Sequence, residues 1–485
     1  MNLRGVLNDK RFYVAAVLSI AALLVAFQLA YDLTHVINHD EVEHAHVAWL
    51  MSQGEVPFVD FMEHHPVLYN YLLIPFVTAF DGLSEIYMSI RLMSLALWAA
   101  SLAIIWAMAK RFGGAVGALI AVLFLALGVQ WFRSFGEARP DNLMLPLQLG
   151  SILLLIGCGG RRPRSAYVLS GLLFGLSTAV IPKTAPLFPA LGIWFVACVA
   201  TSCRKREELT RIGLWVIAAS AAAGIPMLIQ ALSYEGFWFW VYDFNRAFFR
   251  AFAGERGPLQ LYYVLREIFR WNPFLAMAAL VGVGVVAANR GLWRSGSLVV
   301  LICAFQLLSL WKFSAQHVQY FLPALSMTAV LAAAAFGWFS SGCRKIPFAV
   351  VTAIFIAGTF LVALDHFDSR RAFRRYLAAM QYVLDVSEPG DRFLACPAMH
   401  PLLRHDAGYY WMNYKFVERA LDELPDGPPM DWRSDLMKDP PEWIMPRLKM
   451  SYCYRMDELP KELLSRYEYV KAPVYLMRRK DPPVR

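Results

Sequence analysis

Long apolar runs separated by short polar turns set the pattern of this chain. Residues 12–32 form the first run, close to the ~20 residues that a helix needs to cross hydrocarbon. Runs of similar character recur at 85–109, 114–131, 139–158, 165–181, 184–201, 211–232, 272–289, 296–311, 317–339 and 346–365. Hydropathy therefore predicts about 11 membrane spans. Residues 66–80 are apolar but short, so they are expected to form a helix that dips into the outer leaflet. Basic clusters fall at every second turn: Lys110 and Arg111; Arg161, Arg162 and Arg164; Arg204, Lys205 and Arg206; Arg290 and Arg294; Arg344 and Lys345. By the positive-inside bias these turns are cytoplasmic, and so is the N-terminus with Arg4, Lys10 and Arg11. The first run is expected to be a retained anchor rather than a signal peptide, because no small-residue cleavage site closes it and further spans follow.

The alternation puts three longer polar stretches outside: 33–65, 233–271 and everything from 366. The second alternates aromatic residues with Arg246, Arg250, Arg256, Arg266 and Arg270, the pattern of an interfacial helical loop or of a simple aromatic belt. From His366 onward, short strand-like pieces (RFLACP, EWIMP, PVYLMRR) alternate with helical ones (RRYLAAMQYVLDV, PKELLSRY), which reads as a small α/β unit. The expected fold is an α-helical polytopic membrane protein over residues 1–365, followed by a small C-terminal extracytoplasmic α/β domain over 366–485. No GxxxxGK[ST] or GxGxxG occurs in that tail, so no nucleotide-phosphate loop is expected there.

Composition changes the picture in two places. A net charge of +9 would suggest nucleic acid in a soluble protein, but here the basic residues sit at membrane turns, and no nucleic-acid role is expected. Of the seven cysteines, Cys158, Cys198, Cys203, Cys303 and Cys343 lie in or beside apolar runs without paired metal spacing. Only Cys396 and Cys453 share the soluble region, and a disulfide between them is not expected.

Candidate chemistry gathers in the first outside loop, where Asp40, Glu41, Glu43, Asp60 and Glu63 stand among His39, His44, His46, His64 and His65. A helix over 41–53 would set Val42, Ala45, Trp49 and Met51 near one side and Glu43, His44 and Gln53 nearer another, so it is expected to lie flat on the lipid. Gly54 ends it and Pro57 blocks its continuation. A short helix and a turn would bring Asp40 and Glu63 together. Further polar groups stand at the outer ends of spans: Arg91; Glu137, Arg139 and Asp141 of GEARPD; Lys183 of IPKTAP; and Lys312, His317 and Tyr320 of WKFSAQHVQYFLP. Singly, Arg91 and Arg139 read as interfacial ion pairs or snorkelling side chains. Together the groups put carboxylates and cations on one side of the membrane, as transfer from an anionic lipid needs: a base for the incoming hydroxyl and positive charge for the departing phosphate. Asp40 is the expected base, with Glu41 as the adjacent alternative and Glu63 orienting or balancing charge. Lys183, His317, Lys312, Tyr320, Arg139, Asp141 and His65 are candidates for substrate binding. Asp40, Glu63 and His64 form a candidate ligand set for Mg²⁺, Mn²⁺ or Zn²⁺; the competing role for the histidines is to hydrogen-bond the loop.

The motifs HDE, GEVPFVDFMEHHPVLYNYL, GEARPDNLM, IPKTAP and HVQYFLPAL together resemble those of the GT-C glycosyltransferases. These include protein O-mannosyltransferases, the aminoarabinose transferase of lipid A and sugar transferases of lipopolysaccharide core. The resemblance covers essentially the whole chain. It implies a membrane-embedded enzyme that moves a sugar from a polyprenyl-phosphate carrier to an acceptor on the outer side, with inversion at the anomeric carbon. It matches Asp40 to the catalytic acid of the first loop, Glu63 to the acidic residue before the proline-led segment, and Lys183 and the HVQYFLP run to contacts with the carrier phosphate. His64 and His65 depart from the aminoarabinose-transferase pattern, which has Lys directly before that proline.

The expected partners are a polyprenyl-phosphate-linked sugar, an envelope glycolipid, polysaccharide or protein acceptor, and membrane lipid. The expected location is the plasma (inner) membrane, with the tail domain periplasmic or extracellular. A transporter or flippase of lipid-linked saccharide is the rival from another class. It would show internal repeats and polar groups near the midplane, whereas no obvious repeat occurs here and the charges cluster at span ends. A non-catalytic scaffold would leave the acidic first loop without a purpose.

Overall fold

The computed structural model describes residues 19–480 apart from 158–162, 254–259, 313–317, 343–369, 396–398, 410–414, 425–431, 446–455 and isolated positions within 20–32 and 127–135. Four helical stretches among them are long and apolar enough to cross a membrane: Leu83–Ala126, Lys205–Ser233, Arg290–Leu310 and Gln319–Ser341. The pair Tyr262–Arg270 and Pro273–Ala288, bent by 109°, makes a fifth if taken together. Most of the expected first span and all of 346–365 lie outside the described residues, as do Cys396 and Cys453.

In chain order the helices are α1 (His39–Ser52), α2 (Leu68–Thr78), α3 (Leu83–Ala126), α4 (Pro140–Ile156), α5 (Arg164–Val180), α6 (Leu187–Thr201), α7 (Lys205–Ser233), α8 (Asn245–Ala253), α9 (Gln260–Trp271), α10 (Pro273–Ala288), α11 (Trp293–Lys312) and α12 (Leu322–Gly342). The 44-residue α3 holds two of the expected runs, separated at Gly114, whose φ of 64° no helix interior accepts. Leu209, Val216, Ile217, Ile225, Leu228, Ile229 and Leu232 of α7 are exposed, as are Leu169, Leu172 and Leu176 of α5. Such a surface is stable only against lipid, which replaces the buried apolar partner a soluble helix would need. α12 is the central helix, buried almost without a break from Ala324 to Ala335. Its alanine run lets neighbours approach backbone to backbone: a Cβ on Gly113 would lie 1.8 Å from the Ala333 carbonyl oxygen, and one on Gly282 1.9 Å from that of Leu331. In a membrane such close packing is what holds helices together.

The C-terminal sheet region follows α13 (Arg370–Val386) and contains β1 (Arg392–Ala395), β2 (His405–Asp406), α14 (Lys415–Asp422), α15 (Trp432–Lys438), β3 (Trp443–Met445), α16 (Lys461–Ser465), β4 (Tyr467–Val470) and β5 (Leu476–Arg479). The sheet order is β2-β1-β3-β5-β4, parallel among the first three strands and antiparallel for β3/β5 and β4/β5. Three of these strands are the pieces read from sequence. Two-residue β2 is too short for a periodicity, and β4 falls where PKELLSRY gives way to YEYV.

The first loop departs from its expected form. α1 does not lie flat on lipid: Glu41, Val42, Glu43, His44, Ala45, His46, Val47, Ala48 and Leu50 are all buried, so every side of it is covered by protein. Gly54, at φ 94°, ends it as expected, with the Glu55 amide reaching back to the Leu50 carbonyl. The covering comes from the second loop and the tail. Phe237, Trp240, Val241 and Phe244 pack with Val47, Leu50, Phe58 and Phe61 of the first loop and with Val417, Ala420 and Leu421 of α14. The second loop is therefore more than a belt, although Trp238, Tyr242 and Tyr262 stay exposed.

Candidate functional site

Asp40 and Glu41 sit in the first turn of α1, where free backbone N–H groups favour negative charge. Their side chains take different partners. Glu41 receives a two-pronged bond from Arg91, Nε at 2.7 Å and Nη2 at 2.8 Å. Arg91 also donates to the His35 carbonyl at 3.2 Å and lies 4.6 Å from the Phe373 ring centre. Both members of the pair are fully buried, so Arg91 is an internal ion pair rather than a snorkelling residue, and Glu41 is committed to it.

Asp40 is partly exposed and accepts from Arg139, whose guanidinium also bonds Glu137. On its other oxygen it meets His39 Nε2 at 2.7 Å. Burial pushes the Asp40 carboxyl up, but Arg139 and His39 outweigh it and hold the group well below the usual carboxylate range. Asn38 donates to Glu137 at 2.7 Å, and Asn142 to the Glu137 carbonyl at 2.7 Å. In the first turn of α4, Asp141 accepts from Lys183 through both oxygens at 3.0 Å, and the Lys183 ammonium stands 4.4 Å from the Tyr320 ring centre. The expected Asp40, Arg139, Asp141, Lys183 and Tyr320 therefore share one region, where the start of α4, the end of α5 and the approach to α12 meet. His317 and the Lys312 side chain lie outside the described residues.

A second cluster begins one turn further along α1. Glu63 Oε1 accepts from the His64 and His65 amides at 2.7 and 2.8 Å and faces His65 Nδ1 at 3.1 Å. Glu43 Oε1 is 3.7 Å from His64 Nδ1 and 3.9 Å from His65 Nδ1. Glu43 Oε1, Glu63 Oε2 and His64 Nδ1 are buried without a hydrogen-bond partner, and one ligand atom from each of Glu43, Glu63, His64 and His65 falls within 4.8 Å of the others. Desolvation, and then repulsion by Glu63 and Asp40, pushes the Glu43 carboxyl well above its usual range. Burial likewise lowers His64 well below the usual imidazole value, and His44 to about 3. Two carboxylates and two imidazoles converging, with Glu43 Oε1, Glu63 Oε2 and His64 Nδ1 left without a hydrogen bond, fit a divalent cation, which would displace the Glu43 proton on binding. The expected set of Asp40, Glu63 and His64 thus gathers with Glu43 in place of Asp40, which stays with Arg139. Helical spacing was the available signal: 40, 43 and 44 fall on one face.

The region 64–229 matches the family model of dolichyl-phosphate-mannose-protein mannosyltransferases. Among solved structures, ArnT from Cupriavidus metallidurans bound to undecaprenyl phosphate superposes with a TM-score of 0.67 at 12% identity, covering 97% of this chain and 98% of that one. The Archaeoglobus fulgidus oligosaccharyltransferase in complex with Zn and sulfate does so at 0.52 and 14% identity, over 75% of this chain and 56% of that one. The same oligosaccharyltransferase, tethered to an acceptor peptide, gives 0.56 at 13% identity over 82% and 64%. No curated protein matches significantly by sequence. The resemblance read from the motifs thus holds at the level of fold: a helical membrane protein of GT-C glycosyltransferase architecture with a small sheet unit at its C-terminus.

Proposed function

We propose that this GT-C-fold chain is an inverting glycosyltransferase of the plasma (inner) membrane that moves a sugar from a polyprenyl-phosphate carrier to a cell-envelope acceptor on the outer side. The observation that carries the proposal is the pairing of Asp40 with Arg139 beside Lys183 and Asp141, two carboxylates and two cations at the meeting point of several helix ends. The ArnT structure that superposes over nearly the full chain holds undecaprenyl phosphate, which supports a carrier of that class.

Asp40 is the general base. It takes the proton of the acceptor hydroxyl as the oxygen attacks the anomeric carbon, and the bond to the carrier phosphate breaks on the opposite face with its electron pair leaving on phosphate. Lys183 and Arg139 stabilise that phosphate. A phosphate that draws Arg139 toward itself loosens its hold on Asp40, which raises the basicity of the carboxylate only once donor is bound. Tyr320 and Asp141 fix the Lys183 ammonium, and Glu63 fixes the turn at His64 and His65. Glu43, Glu63, His64 and His65 would hold a divalent cation, which when bound would supply Lewis-acid charge against phosphate; the oligosaccharyltransferase solved with Zn supports this choice. Purified protein given polyprenyl-phosphate sugar and envelope extract should release free carrier phosphate. Asp40→Asn should bind carrier yet lose transfer by ~100-fold or more, and near-normal transfer by that variant overturns the assignment.

A further inference from the structure

We infer that His46, His400 and Asp406 form a second metal site, separate from the Glu43 cluster, that takes Zn²⁺ and clamps α1 to the soluble sheet. Ligand atoms of the three lie within 4.8 Å of one another. His46 Nε2 is 2.8 Å from Asp406 Oδ2 and His400 Nε2 is 3.1 Å from Asp406 Oδ1, while the two imidazole centres are 4.1 Å apart. Both histidines are fully buried and the Asp406 side chain nearly so. Donor atoms around tetrahedral zinc stand roughly 3.3 Å apart, as bond lengths of ~2.0–2.1 Å require, and the two contacts to Asp406 lie close to that spacing.

The tautomer of His46 points to a cation. His46 Nδ1 is 2.6 Å from the Leu402 carbonyl oxygen, which only accepts, so Nδ1 carries a proton. A neutral ring then turns the lone pair of Nε2 toward the carboxylate, a repulsive contact that either a second ring proton or a metal ion relieves. Zinc-binding histidines commonly donate their other N–H to a backbone carbonyl in this way. The carbonyl is aimed by a costly conformation: Leu402 has φ 50°, a left-handed backbone that non-glycine residues seldom adopt. Arg404 holds that segment in place through Ser387 Oγ at 2.9 Å and the Leu384 and Ser387 carbonyls at 2.9 and 2.8 Å. Two imidazoles and one carboxylate leave a fourth position for water, a ligand set that suits zinc. Since His46 is one turn from Glu43 on α1, the clamp fixes the helix that carries both Asp40 and Glu43.

Metal counting on the full-length detergent-purified protein tests this without any activity measurement. After stripping and reloading with zinc, His400→Ala and Asp406→Asn should each bind one equivalent per chain fewer than wild type. Zinc should raise the melting temperature of wild type by more than that of either variant. Glu43→Gln, which affects only the other cluster, should retain the equivalent that His400→Ala loses. Wild-type stoichiometry in both His400→Ala and Asp406→Asn overturns the site. Should these variants fail to fold, Co²⁺ added to stripped Glu43→Gln decides the matter: visible bands of four-coordinate cobalt support the site, and their absence overturns it.

Discussion

Within one turn of α1, and at the turn it faces, four carboxylates are held in two opposite ways. Asp40 and Glu41 each meet a guanidinium, Arg139 and Arg91. Glu43 and Glu63 meet each other and two histidines, with a buried oxygen on each left without a hydrogen bond. Carboxyl groups a turn apart on the same helix thus sit against a guanidinium in one place and, at Glu43, keep a proton that a cation would displace in the other. The difference lies in the neighbours: arginines from α3 and the α4 approach reach the first turn of α1, and among the described residues no Lys or Arg ion pair is made to Glu43 or Glu63.

The largest expected effect comes from removing a guanidinium on the paired side. Arg91→Ala leaves Glu41 buried and charged with no counterion, and breaking such a pair costs about 3–5 kcal/mol. Thermal or denaturant unfolding in detergent should show a loss of that size. Arg91→Ala, Glu41→Leu together should recover much of it, because the orphaned charge is then gone; a double variant as unstable as the single one would mean that packing against Phe373, not charge, holds the site.

Lys183→Ala should do less, and to binding rather than folding. Lys183 is one-quarter exposed, and losing one charge-assisted contact to carrier phosphate is worth about 1.5–3 kcal/mol, roughly 10-fold to 100-fold in carrier affinity. Titration with polyprenyl phosphate reads this directly. Unchanged affinity would confine Lys183 to its pair with Asp141 and leave Arg139 as the phosphate contact.

Much of this arrangement is legible in the chain because hydrophobic runs of spanning length and basic turns are local signals. The runs at 139–158, 165–181, 184–201 and 272–289 fall on α4, α5, α6 and α10. The environment of α1 is not local. Its polar residues read as a solvent-facing side because the sequence cannot show that Phe237, Trp240 and Phe244, some 190 residues on, and Val417 and Leu421, further still, cover that helix. The same distance hid the pairing of Asp40 with Arg139 and of Glu41 with Arg91, as well as the convergence of Glu43 on Glu63. Polar residue types marked the site, but only tertiary packing decided which carboxylate gained a guanidinium.

The smallest effect tests the unpaired side. The folded protein holds the Glu43 proton more tightly than an unfolded chain with its ordinary value of 4.5. As pH rises through 4.5 the unfolded chain releases this proton while the folded one keeps it, so stability falls until the raised folded value is passed. Each unit of that elevation costs roughly 1.4 kcal/mol at neutral pH. In Glu43→Gln the group cannot ionise, so stripped variant and wild type should melt alike near pH 4.5, with the variant gaining on wild type as pH rises toward 8. Added zinc should reverse the order, because the ion neutralises the wild-type carboxylate and the amide gives it a poorer ligand. Parallel melting curves across this range, with and without zinc, would show that Glu43 already has a counterion and would remove the contrast with Asp40.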